Sequence, residues 1–161
     1  VTHLLIDTSV LIKWFHSEGE GELREARTLR SAHVAGELDA HVLDLAMYEV
    51  GNVLVRALQW DAAEVADQLD DLRAVVGPPL VVTAAWLRHA ATFAQAHALS
   101  FYDASWAATA SELAIPLVSA DQRLLAAGLA ESPSQVVNRL KLLPGEGKPG
   151  DGARESPDEA H

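Results

Sequence analysis

The sequence predicts an α/β fold, a three-layer α/β/α sandwich with a mostly parallel central sheet, on three observations. Short apolar runs without helical period, Leu4-Leu5-Ile6, Ala40-His41-Val42-Leu43, Leu80-Val81-Val82 and Pro116-Leu117-Val118-Ser119, read as strands. Amphipathic helical stretches separate them, and connections of that length are crossovers between parallel strands. The first and fourth runs lead directly to acids, Asp7 and Asp121, at which helices begin. In open α/β sheets, the crevice at the carboxyl ends of the strands is where ligands bind.

Each element has its own local signal. After Leu4-Leu5-Ile6 the chain meets Asp7, Thr8 and Ser9 just before a new apolar series, which reads as a helix start. Glu20 to Ala35 carries Leu23, Ala26, Arg27, Arg30 and Val34 in helical order and stops at Gly36. Asp44 is expected to cap a helix running to Trp60. Within it Leu45, Glu49, Val53 and Ala57 follow i, i+4 spacing, so Glu49 lies on the apolar stripe and Asn52 shares its face. Asp61 begins a helix with Val65, Leu69, Leu72 and Val76 inward, ended by Gly77-Pro78-Pro79. Thr83 opens a helix with Trp86, Ala90, Phe93, Ala94 and His97 on one side. The next helix places Asp103, Trp106, Ala107 and Ala110 on a common face, with Asp103 in its first turn. Val136-Val137 is a candidate fifth strand.

The chain has 161 residues, 49% of them hydrophobic, enough for one ordinary core. The organisation expected is one domain over 1–143 and a disordered acidic tail over 144–161. That tail has three Pro, four Gly and no large apolar residue, so burial cannot offset its ordering entropy. Its five acids and two bases contribute −3 of the net charge of −11, leaving −8 for the domain. No apolar stretch approaches the ~20 residues of a membrane span, and no secretory signal pattern opens the chain, so a soluble, cytoplasmic protein is expected. Cysteine is absent, which excludes disulfide frameworks and thiolate chemistry. A chain this acidic is not a nonspecific nucleic-acid coat, because phosphate contacts need clustered Lys and Arg.

Four acids share one oddity: Asp7, Glu49, Asp103 and Asp121 each lie at a strand end or on the inward side of a helix. Singly, each has an ordinary account as an N-cap, a dipole partner or half of an ion pair. Together they point to a cation. Two carboxylates ~5 Å apart repel by roughly 3 kcal/mol at an effective dielectric near 20, so a cluster of four either protonates or holds a positive charge. An all-oxygen donor set without Cys or a paired-His motif favours Mg²⁺ or Mn²⁺. Hydrolysis of a phosphodiester needs an activated water and neutralised phosphate charge, and a carboxylate-bound metal supplies both. Asp7 and Asp103 are the candidate shared ligands, Glu49 a ligand or water-orienting base, and Asp121 a ligand to a second metal or in the outer sphere. Thr8, Ser9, Asn52 and Ser119 are candidates for holding these ligands from behind, or else ordinary capping residues.

The stretches LLIDTSVLIKWF, YEVGNVL, YDASWAATA and PLVSADQRLL resemble the PIN-domain nucleases, specifically the VapC-type ribonuclease toxins, over about residues 3–138. The resemblance implies a Mg²⁺- or Mn²⁺-dependent endoribonuclease, a homodimer held in check by a cognate antitoxin protein. On it, Asp7, Glu49, Asp103 and Asp121 match the family's acidic quartet, while Thr8 or Ser9 and Ser119 match its small hydroxyl positions. The alternatives are a catalytically silent PIN-like binding module and, further off, a haloacid-dehalogenase-like phosphatase, which requires a second Asp where this chain has Ser9. A receiver domain would need an Asp at the third strand, which here ends at Thr83.

For RNA contacts the candidates are Lys13, Arg24, Arg27, Arg30 and Arg123, the three helical arginines recurring every third residue. A solvated face balanced by Glu18, Glu20, Glu22 and Glu25 is the ordinary reading of the same pattern. The seven His show no ligand spacing along the chain, and the four Trp read as packing. Removing residues 144–161 is expected to leave melting temperature and turnover nearly unchanged. A large fall in either would make the tail part of the fold.

Overall fold

The computed structural model describes residues 1–17 and 21–144. The expected tail, apart from Pro144, lies outside the described residues, as do Glu18 and Glu20 of the expected basic-helix region.

Three parallel strands form the centre, β1 (Thr2–Ile6), β2 (Leu38–His41) and β3 (Leu117–Val118), in the order β2-β1-β3. Among the described residues eight α-helices flank them: α1 (Thr8–Lys13), α2 (Leu23–Val34), α3 (Leu45–Asn52), α4 (Ala62–Val76), α5 (Ala84–His97), α6 (Phe101–Leu113), α7 (Gln122–Ala126) and α8 (Pro133–Leu140). This is the α/β/α architecture that the strand–helix alternation requires. Leu4, Leu5 and Ile6 are all fully buried, because β1 is the middle strand and is covered on both faces.

Beyond the three strands, the sheet continues through single parallel bridges, Leu43 with Leu80 on one side and Val118 with Glu131 on the other. The third expected strand is therefore only one rung. Pro78 and Pro79 precede it and have no N–H to donate, and Val81 is left exposed. The expected fifth strand at Val136-Val137 is instead part of α8. Ser132 and Gln135 close a reciprocal capping box there and Pro133 occupies the first turn, a combination that commits the chain to helix. The outer rung falls earlier, at Glu131, which donates its N–H to Leu117 and accepts one from Ser119.

Several helix starts follow the sequence signals. Asp61 and Glu64 form a capping box at α4 and Thr83 caps α5, while α6 is capped by Ser100, where the sequence pattern singles out only Asp103 in the first turn. Asp44 differs: it occupies the cap position of α3 in helical conformation, and its side chain makes no capping hydrogen bond. Its backbone N–H is used by the Leu80 carbonyl instead. The helix after it does not reach Trp60, because it closes at Leu58 and Gln59 turns at φ 55°. At Val53–Ala57 it widens into a π-helical turn, with the Leu58 N–H reaching back to the Val53 carbonyl, and Trp60 then packs against Phe15 at 6.3 Å between ring centroids.

Alanines set how closely α5 and α6 pack. Ala90 of α5 and Ala104, Ala107, Ala108 and Ala110 of α6 are buried. Helix α6 is enclosed along Ala104–Ala110, as expected of a segment apolar on all sides, so Asp103 emerges where the covered part begins.

A carboxylate ties together the starts of two helices distant in sequence. Glu22, at φ 70° ahead of α2, accepts hydrogen bonds from both the N–H and the hydroxyl of Ser134 in α8, each 2.7 Å. It thereby satisfies an N–H that α8 itself cannot. Glu22→Ala is expected to lower stability by about 1–2 kcal/mol, seen as a reduced urea midpoint with an unchanged m-value.

Candidate active site

The buried end of β1 supplies the first acid. Asp7 is 5% exposed, accepts the Val10 N–H as the cap of α1, and takes two short hydroxyl bonds. Ser9 donates to Oδ1 and Ser119 to Oδ2, each at 2.5 Å. Those serines also stitch together the loops that follow the neighbouring strands β1 and β3. The Ser9 hydroxyl accepts the Ala120 N–H at 2.9 Å, and the Ser119 hydroxyl accepts the Asp121 N–H at 3.0 Å.

Glu49 reaches the same end of the sheet from α3. Its Oε1 accepts from the Thr8 hydroxyl and from the Trp106 indole N–H, both at 3.2 Å, and Oε2 has no hydrogen-bond donor among the described residues. Trp106 is almost fully buried, so it is packing, as the sequence suggested, and also a positioning donor. The signal was present in its i+3 offset from Asp103, but only the fold brings Glu49 to it. Asp121 begins α7, its Oδ1 accepting the Arg123 and Leu124 N–H groups at 2.8 and 3.3 Å. It is thus an N-cap and a neighbour of the other acids at once.

Electrostatics link the four in a chain. Burial raises the pKa of Asp7 from 3.8 to about 6; the Ser119, Ser9 and Val10 hydrogen bonds oppose this, and the charge of Glu49 adds to it. Burial likewise raises Glu49, with Asp103 contributing. Asp103 is raised by burial and then by Asp121, with Ser100 and Arg123 offsetting part of the effect. Among the described residues no ion pair within 4.0 Å engages any of the four. The cluster is therefore a set of mutually repelling oxygens without a bonded counter-charge, the chemistry that suits a hard divalent cation. Its oxygens are more widely spread than 4.8 Å for any three residues. Among the described residues, that tighter spacing is met only by His3, Asp39 and His41.

A family model for the PIN domain matches residues 4–129. The chain belongs to the PIN domain family. A search of curated protein sequences finds no match. Among solved structures, PAE2754 from Pyrobaculum aerophilum is 25% identical with a TM-score of 0.65, over 87% of this chain and 90% of that one. The toxin-antitoxin complex from Klebsiella pneumoniae is similar at 19% identity and TM-score 0.58, over 81% and 97% of the two chains. FitAcB from Neisseria gonorrhoeae is similar at 18% and 0.59, over 81% and 98%. No described helix is long and apolar enough to cross a membrane.

Other candidate residues of this PIN domain fall in different places. Asn52 closes α3 three residues after Glu49 and makes no side-chain hydrogen bond to the acids among the described residues. Arg27 donates to the Lys13 carbonyl and to Ser17, and Arg30 to the Trp14 carbonyl; both therefore hold the end of α1. Arg24 is exposed on the same helix, and Arg123 is exposed beside Asp103 and Asp121. Lys13 lines a groove of about 240 Å³ with Glu22, Ala120, Gln122 and Ser132.

The buried carboxylate makes stability depend on pH in a specific sense. Because the folded pKa of Asp7 lies above its unfolded value, the folded chain binds the proton more tightly. That contribution is fully present below about pH 4 and is lost as pH rises through about 6. A rise from 3.8 to about 6 corresponds to about 3 kcal/mol, roughly half of it lost between about pH 5 and about pH 8. In EDTA, the stability of Asp7→Asn relative to the parent should therefore increase by that amount over the same interval. A pH-independent difference in urea melts would place the Asp7 charge in solvent.

Proposed function

We propose that this PIN domain is a Mg²⁺- or Mn²⁺-dependent endoribonuclease of the VapC type, the toxin of a toxin–antitoxin pair, which hydrolyses RNA phosphodiester bonds in the cytoplasm. What supports the reading is the chain of electrostatic links from Asp7 to Glu49, Glu49 to Asp103 and Asp103 to Asp121, with the pKa of the first three raised. PIN domains are typically nucleases that use divalent ions. The structural neighbour from Klebsiella pneumoniae is a toxin–antitoxin complex, which supports a cognate antitoxin as partner. A homodimer is part of the same proposal.

In this reading Asp7 and Asp103 would be the shared metal ligands, with Asp121 for a second ion or the outer sphere. A divalent ion bound there would supply neutralisation of phosphate charge and a more acidic water. Ser9 and Ser119 fix the Asp7 carboxylate from behind, and their hydroxyl bonds favour its charged form, which is the form that binds a cation. Thr8 and Trp106 occupy Oε1 of Glu49 and leave Oε2 available; a carboxylate with a raised pKa is suited to accept a proton from water. Arg24 and Arg123 are the exposed bases available to RNA phosphates. Lys13 lines the adjoining groove, while Arg27 and Arg30 would contact RNA only by leaving α1.

The test is cleavage of RNA by the purified chain with Mg²⁺ or Mn²⁺, with EDTA, and with Asp7→Asn. Activity should require the metal, and Asp7→Asn should reduce it by more than ~100-fold, beyond the loss that removing an outer hydrogen bond causes. Cleavage in EDTA, or by Asp7→Asn at the parental rate, would overturn the mechanism.

A further inference from the structure

A second cluster of ligand-bearing side chains lies on β1 and β2, apart from the acids. In the parallel register His3 stands beside Asp39, and Leu5, two residues on, beside His41. All three polar side chains thus leave one face of the sheet. His3 Nδ1 is 2.9 Å from His41 Nε2 and 3.7 Å from Asp39 Oδ2. One ligand atom from each residue lies within 4.8 Å of the others. Two ligands on a tetrahedral ion with bonds of ~2.0–2.1 Å sit ~3.3 Å apart, a spacing that the His3–His41 and His3–Asp39 distances bracket.

The chemistry of the trio is distinct from that of the quartet. With 2.9 Å between two ring nitrogens, one ring must donate a proton to the other, and a cation bound by both lone pairs does the same work in place of that proton. His33 shows the contrast. Its Nδ1 accepts the Ala40 N–H and its Nε2 donates to the Val75 carbonyl, so neither nitrogen is available. The side chains of His3 and Asp39 are each 49% exposed, which gives an ion an entry path. His3 also stands four residues before Asp7, ~13 Å along the strand.

We propose that His3, Asp39 and His41 form a binding site for a divalent transition metal of the Zn²⁺ class, which clips the outer strand β2 to β1. Two imidazoles and one carboxylate suit Zn²⁺, Co²⁺ or Ni²⁺, whereas Mg²⁺ prefers oxygen ligands throughout. Three protein ligands leave a further position for water. The inference does not depend on nuclease activity.

The experiment uses the full chain, stripped with EDTA and then held in excess Mg²⁺, and titrated with Zn²⁺ by calorimetry and with Co²⁺ by visible absorption. One Zn²⁺ per chain is expected to bind despite Mg²⁺. His3→Ala and Asp39→Asn, both at half-exposed side chains, should weaken it by more than ~10-fold, and Asp103→Asn should leave it within about twofold. Ring-nitrogen NMR of the unmodified chain gives an answer independent of any variant's folding: the His3 and His41 resonances should shift with Zn²⁺ while those of His33 stay in place. Zn²⁺ binding that His3→Ala leaves unchanged, that Asp103→Asn or Mg²⁺ abolishes, or that leaves the His3 and His41 rings unperturbed would overturn the proposal.

Discussion

Everything at the functional end of this molecule depends on keeping one carboxylate, Asp7, out of water without a bonded cation. The middle strand of a parallel sheet is covered on both faces, so the residue that ends it emerges into a crevice rather than into solvent. Asp7 tolerates that place because a backbone N–H and two serine hydroxyls serve its oxygens. The same serines receive backbone N–H groups from the loop after β3. Satisfying the buried charge and joining the two loops are therefore one act. The position of Asp121, whose N–H is one of those bonded, follows from it.

The remaining acids are held with different degrees of restraint. Glu49 is fixed through one oxygen by Thr8 and by the buried Trp106, and Trp106 is in turn fixed by the tight, alanine-rich packing of α6 on α5. Asp103 rides on the same α6, one turn before Trp106, so a single helix both carries one acid and orients another. The geometry of the site is thus referred back to the core rather than to flexible surface loops, which is how a scaffold keeps like charges close together.

Much of this was legible in the sequence, for physical reasons that differ by element. Asp7, Asp61 and Thr83 announced helix starts because capping is local chemistry, readable within three or four residues. The inward position of Glu49 was readable because a helix repeats. Two strand readings rested on composition alone and missed local signals beside them. Val136-Val137 has strand composition, yet the cap at Ser132 and the burial of Val136 make it helix. Leu80-Val81-Val82 has it too, but pairs through one rung. The grouping of His3 with His41 was invisible along the chain, since it exists only through the β1–β2 register. The bond from Trp106 to Glu49 likewise spans 57 positions. No local pattern encodes either.

The π-helical turn at Val53–Ala57 has a consequence for how tolerant this chain is to changes in length. Such a turn amounts to one surplus residue within a helix, and here it stands at the helix's end: Leu58 closes it and Gln59 turns at φ 55° before Trp60. Trp60 is therefore delivered to Phe15 by the exit of the chain rather than by a helical face. Upstream, the regular turns of α3 set the position of Glu49; downstream, the widened turn and the left-handed residue after it set that of Trp60. Loss of a single residue between Val53 and Gln59 would displace Trp60 while leaving Glu49 in place, whereas substitutions that keep the count leave both where they are.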